Sequence, residues 1–418
     1  MFCTYKESPS GGLFFYLKQL ISTLKKQIVN IADRYGDVQE YYFSQKLREV
    51  AQLNAAGKNV INLGIGSPDM APPRQAVEAL CAAAHNGNAH GYQGYKGTPA
   101  LRQAFSDWYA TYYAVALDPE TEVLPLMGSK EGITYISNAY LNAGDEVLVP
   151  NPGYPAYSAA TKAAGGVVRH YNLREETGWL PNLEELQQQD LSRVKLMWAN
   201  YPHMPTGAKA SKAALAQLVD FAERHDILLC HDNPYSFILI DRPESILSVK
   251  GVTAHVLELN SLSKSHNMAG WRVGVLTGHP QHIANVLIAK SNVDSGMFLG
   301  IQQAAIEALK QPQAWFEELN THYAERRKLV WQIMETLDCR YSTEQAGLFV
   351  WGRPPEEVNV EQLVNELLYE AGVFITPGFI FGTNGQRYIR VSLCADNGQL
   401  QRALERIKAF KNIKIKKS

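Results

Sequence analysis

The stretch NSLSKSHNMAGWRVG, Asn260 to Gly274, sets Lys264 among small hydroxyl residues and follows it with Arg272. It comes straight after the run His255-Val256-Leu257-Glu258-Leu259. A solvated loop would account for two cations there. A chemical reading is also open. A lysine held near other cations and low-polarity walls has a depressed pKa, and its neutral amine attacks carbonyls to form a Schiff base. Arg272 suits a bidentate grip on an anion such as phosphate, or else a structural salt bridge. Asp232, in DNPY, follows the apolar run Ile227 to Cys230 by one residue. A carboxylate there needs a cationic partner, such as a protonated heteroaromatic nitrogen, unless it caps a helix or forms an ion pair. Gly128-Ser129-Lys130 opens a predicted helix, whose free N–H groups and positive dipole end receive anions. Tyr154, in NPGYPAY, can stack on a planar ring or simply pack beside proline.

These residues need a scaffold that brings them together. From about residue 75 to 300, short apolar runs alternate with helical patterns. Helices are expected at Arg74 to His85, Pro99 to Tyr113, Lys130 to Leu141 and Lys212 to Arg224. Strands are expected at Glu122 to Met127, Glu146 to Val149, Val167 to Tyr171, Lys195 to Ala199, Ile227 to Cys230, Ala254 to Leu259 and Arg272 to Leu276. Near-continuous apolar strands alternating with helices imply an α/β fold with a mostly parallel sheet covered on both faces. In such sheets ligands bind beyond the carboxyl ends of the strands, where each chemically equipped segment falls. The remainder, with long amphipathic helices at Ala314 to Leu337 and Val360 to Ala371 and strands at Leu348 to Trp351 and Tyr388 to Leu393, reads as a smaller α+β domain. The expected division is residues 1–30 as an N-terminal extension, 31–70 with 312–418 as the small domain, and 71–311 as the large one.

An anion cup, a cation-seeking carboxylate, a stacking ring and an imine-forming lysine are together the requirements of pyridoxal 5'-phosphate. Roughly from Val38 to Phe410 the sequence resembles fold type I pyridoxal-phosphate enzymes of the class I/II aminotransferase family. SLSKSHNMAGWRVG is similar to the family's lysine signature. The resemblance implies that Lys264 forms the internal Schiff base, with Ser261 and Arg272 on the phosphate. DNPY resembles the family's D-x-x-Y, which implies Asp232 on the pyridine nitrogen and Tyr235 on the ring's 3'-oxygen. NPGYPAY likewise implies that Tyr154 stacks on the ring. GSKEG resembles the phosphate cup, with Ser129 and Lys130 acting mainly through backbone amides. YQGYKGTPALRQA resembles the segment whose tyrosine, here Tyr92, reaches the phosphate of a neighbouring subunit, so a homodimer is implied. NLGIGSPD and YIRVS resemble the segments that hold the substrate carboxylate, through Gly66 and Arg390. One departure stands out. Where the family shows Asn-Pro-Thr-Gly, this chain reads NYPHMPTG, with Met204 in place of an asparagine that binds the 3'-oxygen. A thioether accepts weakly and cannot donate.

The resemblance implies transamination between an L-amino acid and a 2-oxo acid. A β-lyase on the same fold is an alternative, as is a weakly catalytic cofactor-binding paralogue, which Met204 motivates. KSNVDSGMF, Lys290 to Phe298, is similar to the matching segment of LL-diaminopimelate and alanine-type aminotransferases.

Composition narrows the classes further. The 418 residues are 46% hydrophobic, enough for a large core. Lysine plus arginine (40) nearly balance aspartate plus glutamate (41), so no global field exists for nucleic acid or an anionic membrane. Five scattered cysteines without CxxC spacing argue against zinc or a disulfide framework and suit a reducing cytoplasm. No apolar span reaches the roughly 20 residues that a transmembrane helix needs. His279 and His282 read as a surface turn, and the lysine-rich tail from Lys408 to Lys417 as a solvated, frayed end. GIGSPD lacks the third glycine of a dinucleotide-binding turn.

Overall fold

The computed structural model describes residues 29–36, 40 and 42–417, with side chains as far as residue 414. Residues 29–36 contain one 3-10 turn, Asp33–Tyr35, and fall in a unit separate from the compact one that begins at Glu40. The extension expected over residues 1–30 lies outside the described residues except for its last two.

Strands are numbered along the chain. β1 is Ile61–Asn62, β2 Val123–Leu126, β3 Glu146–Asn151, β4 Val167–Asn172 and β5 Val194–Ala199. β6 is Leu228–Asp232, β7 Val256–Ser261 and β8 Gly274–Gly278. Seven of them form one sheet in the order β2-β8-β7-β6-β5-β3-β4. Pairings from β4 through β7 are parallel, whereas β8 runs antiparallel to both β2 and β7. Because β8 reverses between them, β2 and β7 point the same way. The carboxyl ends of β2, β3, β5, β6 and β7 therefore share one edge of the sheet.

Alternate residues of these strands feed two cores, as the two-residue strand period requires. Leu148, Met197, Leu229 and Val275 pack on one face against helices Pro99–Tyr113 and Lys212–Arg224. Val147, Leu196, Trp198, Leu257 and Leu276 pack on the other against helices Ser129–Tyr140 and Pro155–Ala163. Caps set the helix starts. Thr98 Oγ1 accepts from the N–H of Leu101, and Ser211 Oγ from that of Ala214.

A second sheet contains β9 (Arg340–Tyr341), β10 (Phe349–Arg353), β12 (Thr376–Pro377) and β13 (Ile389–Ser392), ordered β12-β13-β10-β9 and antiparallel. β11 (Val373–Phe374) pairs in parallel with β1. The long helix Gln313–Thr336 and the final helix Asn397–Lys417 pack around this sheet through Tyr323, Val330, Leu400 and Leu404.

Four local expectations change. The carboxyl tail is helical rather than frayed: Lys411 pairs with Asp338 at 2.6 Å and Lys414 with Glu366 at 3.0 Å. The helix from Val360 to Ala371 is α only to Glu366 and closes with a wider π turn, Leu367–Ala371. His279 caps helix Pro280–Ser291 through its side chain, and His282 lies within that helix, its Nε2 bonded to the carbonyl of Ala254 at 2.6 Å. Arg272 is not in a strand: its φ is 56°, a left-handed residue ahead of β8. Among the described residues no helix is long and apolar enough to cross a membrane.

Candidate active site

At the shared strand edge lies a cavity of about 670 Å³. Its wall includes Gly66, Ser129, Lys130, Tyr154, Asp232, Tyr235, Ser261, Lys264, Arg272 and Arg390. Ten of the eleven residues singled out from the sequence thus converge. The eleventh, Tyr92, is 93% exposed and stands outside the cavity.

Lys264 owes its position to the end of β7. Ser261 caps a one-turn helix, Leu262–Ser265, by accepting from the N–H of Ser263 at 3.1 Å, and its own hydroxyl donates to the carbonyl of Val273 at 3.2 Å. That turn aims the Lys264 ammonium at the carbonyl of Gly66, 2.6 Å away. Burial is the main force holding the lysine below its ordinary range. The Cys394 thiol opposes it, and Arg272 and Arg390 reinforce it.

Asp232 is the last residue of β6 and is buried. Its Oδ2 accepts from the Tyr157 hydroxyl at 2.9 Å, while Oδ1, also buried, has no hydrogen-bond partner. Burial pushes its pKa up to about 6, against the lowering effect of the Tyr157 hydrogen bond. Asn200 braces the strand end by donating to the Asp232 carbonyl at 2.5 Å and accepting from the N–H of Met204 at 2.8 Å.

The anion end is built by close backbone approach. Gly128 (φ +87°) precedes helix Ser129–Tyr140, and a Cβ added there would stand 2.1 Å from Arg272 Nη2. A Cβ on Gly274 would stand 2.6 Å from the amide nitrogen of Ser129. Only glycine at both positions lets the helix start, the guanidinium and β8 meet.

Across the cavity, Arg390 projects from β13. Its Nη2 donates to the carbonyl of Gly64 at 2.7 Å and its Nη1 lies 3.2 Å from Met204 Sδ. The guanidinium carbon sits 3.8 Å from the ring centroid of Phe349, 4.6 Å from that of Phe381 and 5.4 Å from that of Phe43. These three rings and Tyr157 are the residues that motif reading missed. Tyr157 lies inside NPGYPAY and was within reach; the phenylalanines belong to no motif.

The donor set can be tested against pyridoxal phosphate. A buried, unpartnered carboxylate oxygen suits a ring N–H. A helix start under an arginine suits a phosphate. A lysine depressed by burial suits a carbonyl. The residues fit, and a seven-stranded α/β sheet carrying them defines a fold type I pyridoxal-phosphate enzyme.

Similarity to known proteins narrows the class. The model of the family "Aminotransferase class I and II" matches residues 58–407. LL-diaminopimelate aminotransferase of Nitratidesulfovibrio vulgaris (strain Hildenborough) is 40% identical over 380 residues, 90% of this chain and 98% of that protein. Its namesake in Dehalococcoides mccartyi (strain BAV1) is 37% identical over 385 residues, 92% of this chain and 99% of that protein. Among solved structures, substrate-bound BacF from Bacillus subtilis aligns with a TM-score of 0.88 at 35% identity, covering 92% of this chain and 98% of that one. The chain belongs to the class I and II aminotransferases and is a pyridoxal-phosphate-dependent transaminase.

Proposed function

We propose that this cavity is where the chain moves an amino group between an L-amino acid and a 2-oxo acid, with its residues dividing the work as follows. Lys264 would hold the cofactor through its amine and, once the substrate amine has taken that position, take the proton from the substrate Cα; burial favours the neutral amine that this needs. Asp232 Oδ1, buried without a partner, would accept from the ring nitrogen and keep it protonated. Tyr154 packs on the ring, and Tyr235 donates to its 3'-oxygen. Ser129, Lys130, Ser261 and Arg272 receive the phosphate. Arg390 orients the substrate carboxylate, with Gly66 lining the same wall. When bound, pyridoxal phosphate supplies the electron sink that makes loss of the Cα proton possible. Reversal on a 2-oxo acid completes the cycle.

The observation that carries this reading is the half-buried Lys264 in one cavity with Asp232 and Arg390. The test is an absorption spectrum of the holoenzyme during addition of single amino acids without an acceptor. A shift to the amine form, reversed by a 2-oxo acid and absent in Lys264→Ala, is expected. Release of pyruvate without any acceptor would replace transamination with elimination.

Three wider proposals accompany it. The exposed position of Tyr92 outside its own chain's cavity supports a homodimer in which it serves the neighbouring site. The free state of Cys81, Cys230, Cys339 and Cys394 fits a cytoplasmic enzyme. Residues 31–70 with 312–418 would form a small domain, and 71–311 the large cofactor-binding one.

A further inference from the structure

The segment KSNVDSGMF, Lys290 to Phe298, has no task in the reading above. Lys290 lies in the last turn of helix Pro280–Ser291, which packs beside helix Ser129–Tyr140. It is buried, and its ammonium donates to both oxygens of Asp294 at 2.7 Å. Asp294 Oδ1 also accepts from the N–H of Gly296 at 2.9 Å. Asp294 Oδ2 lies 3.0 Å from the buried Tyr135 hydroxyl. That hydroxyl is also 2.9 Å from Oε1 of Glu131, two residues past Ser129.

One hydroxyl between two carboxyl groups fixes a proton. Tyr135 has a single O–H to donate. With both carboxyls ionised, one of them would face an oxygen lone pair, and two like charges would share a half-buried space. One carboxyl therefore carries the proton. The charged groups that face Glu131 are Lys290, from the neighbouring helix, and Asp294, from the loop after it. Despite burial, Asp294 is held below its usual range by Lys290 and the Gly296 N–H. Glu131 has no such contact with a cation. Burial pushes it up and Asp294 adds to the effect, against the Met127 N–H and Lys290. Burial also holds the Tyr135 hydroxyl above its ordinary range, so it keeps its hydrogen. Glu131 Oε1 thus donates to Tyr135, and Tyr135 donates to Asp294.

The second oxygen of Glu131 faces the anion end. Oε2 accepts from the N–H of Met127 at 2.6 Å. Met127 and Gly128 make the turn that leads into Ser129 and its helix, so this bond pins the backbone that presents the Ser129 amide. Resting on the reading that this helix start receives the cofactor phosphate, we propose that Glu131 is a positioning residue of the phosphate cup and works as a neutral acid. Its proton ties it to Tyr135 and Asp294, while its other oxygen fixes Met127. Glutamine offers the same one donor and one acceptor. Alanine offers neither.

The experiment compares wild type, Glu131→Gln and Glu131→Ala. Cofactor is removed from each holoenzyme, and pyridoxal phosphate is titrated back by fluorescence at neutral pH. The dissociation constant of Glu131→Gln should stay within about threefold of wild type, and that of Glu131→Ala should rise about tenfold. An infrared difference spectrum of the holoenzymes, wild type minus Glu131→Gln, should show the carbonyl stretch of a protonated carboxyl group. A carboxyl with a raised folded pKa keeps its brace below that value and loses it above. Wild-type affinity should therefore fall relative to Glu131→Gln as the solution is made alkaline. If the band is absent, or Glu131→Gln binds as weakly as Glu131→Ala, Glu131 acts by its charge at the helix start and the proposal is overturned. Equal affinities in all three proteins would remove Glu131 from the cup. If wild type takes up no pyridoxal phosphate, the phosphate reading itself fails and the proposal falls with it.

Discussion

Tyr157 donates its hydroxyl to Oδ2 of Asp232 at 2.9 Å and leaves Oδ1 buried without a partner. One oxygen is held by the fold, and the other is the one that would meet the ring nitrogen of the proposed cofactor. Ring stacking of Tyr157 on Trp198, centroids 4.9 Å apart and planes 5° apart, keeps the hydroxyl in place.

This arrangement makes cofactor-free protein sensitive to pH. Asp232 titrates near 6 in the folded chain because burial disfavours its charge, whereas an unfolded aspartate titrates near 3.8. Its contribution to stability is full below the unfolded value and is lost as pH rises through the folded one. Relative to Asp232→Asn, cofactor-free protein should lose up to about 3 kcal/mol between roughly pH 4 and 6.5. Urea unfolding of both proteins across that range measures it. Loading the cofactor should abolish the loss, since a ring N–H beside Oδ1 favours the carboxylate.

Arg390 meets a thioether on one side and a backbone carbonyl on the other. Sulfur is a weak acceptor, so Met204→Leu should change the KM of amino and oxo acids by less than about threefold. With the proposed role of Arg390 in holding the substrate carboxylate, Arg390→Gln should raise both KM values on the order of 100-fold. Steady-state kinetics with either substrate varied decides between a clamp and a structural arginine.

Gly128→Ala drives a methyl group into the Arg272 guanidinium. Pyridoxal phosphate should dissociate at least about tenfold more readily, and stability should fall by about 1–3 kcal/mol from backbone strain. Gly57→Ala is the control. Its φ is +82° and nothing lies within 4 Å, so strain should appear there without weaker cofactor binding in a fluorescence titration.

Glu258 is fully buried in β7 and accepts from the Tyr109 and Ser245 hydroxyls, the N–H of Ile246 and His231 Nδ1, all at 2.9 Å. Glu258→Leu strips these buried donors, and Asn233 Nδ2 at 3.4 Å, of their acceptor. A loss of at least about 3 kcal/mol in chemical denaturation is expected, and a smaller loss would mean that water replaces the carboxylate.

Much of the site was legible because its residues sit at places a chain announces locally. Apolar runs end where Ser129, Tyr154, Asp232 and Lys264 begin, and helix Lys212–Arg224 follows from its own periodicity and cap. Other features had no local signal. Phe43, Phe349 and Phe381 come from three separate elements and become one wall only around Arg390. Strand periodicity is the same in either direction, so the reversal of β8 left no trace in residue order. The lysine-rich tail reads as solvated until Asp338, Glu366 and Glu370 are placed beside it.

Residue order by itself determined the elements, the strand-end segments and the chemistry that the lysine, aspartate and arginines could perform, since those depend on local periodicity and side-chain type. Only the tertiary structure decided which aspartate oxygen is left open, that burial lowers Lys264 and raises Asp232, and which rings surround Arg390. Those properties arise from groups remote in the chain that share one desolvated space, and desolvation is a property of packing.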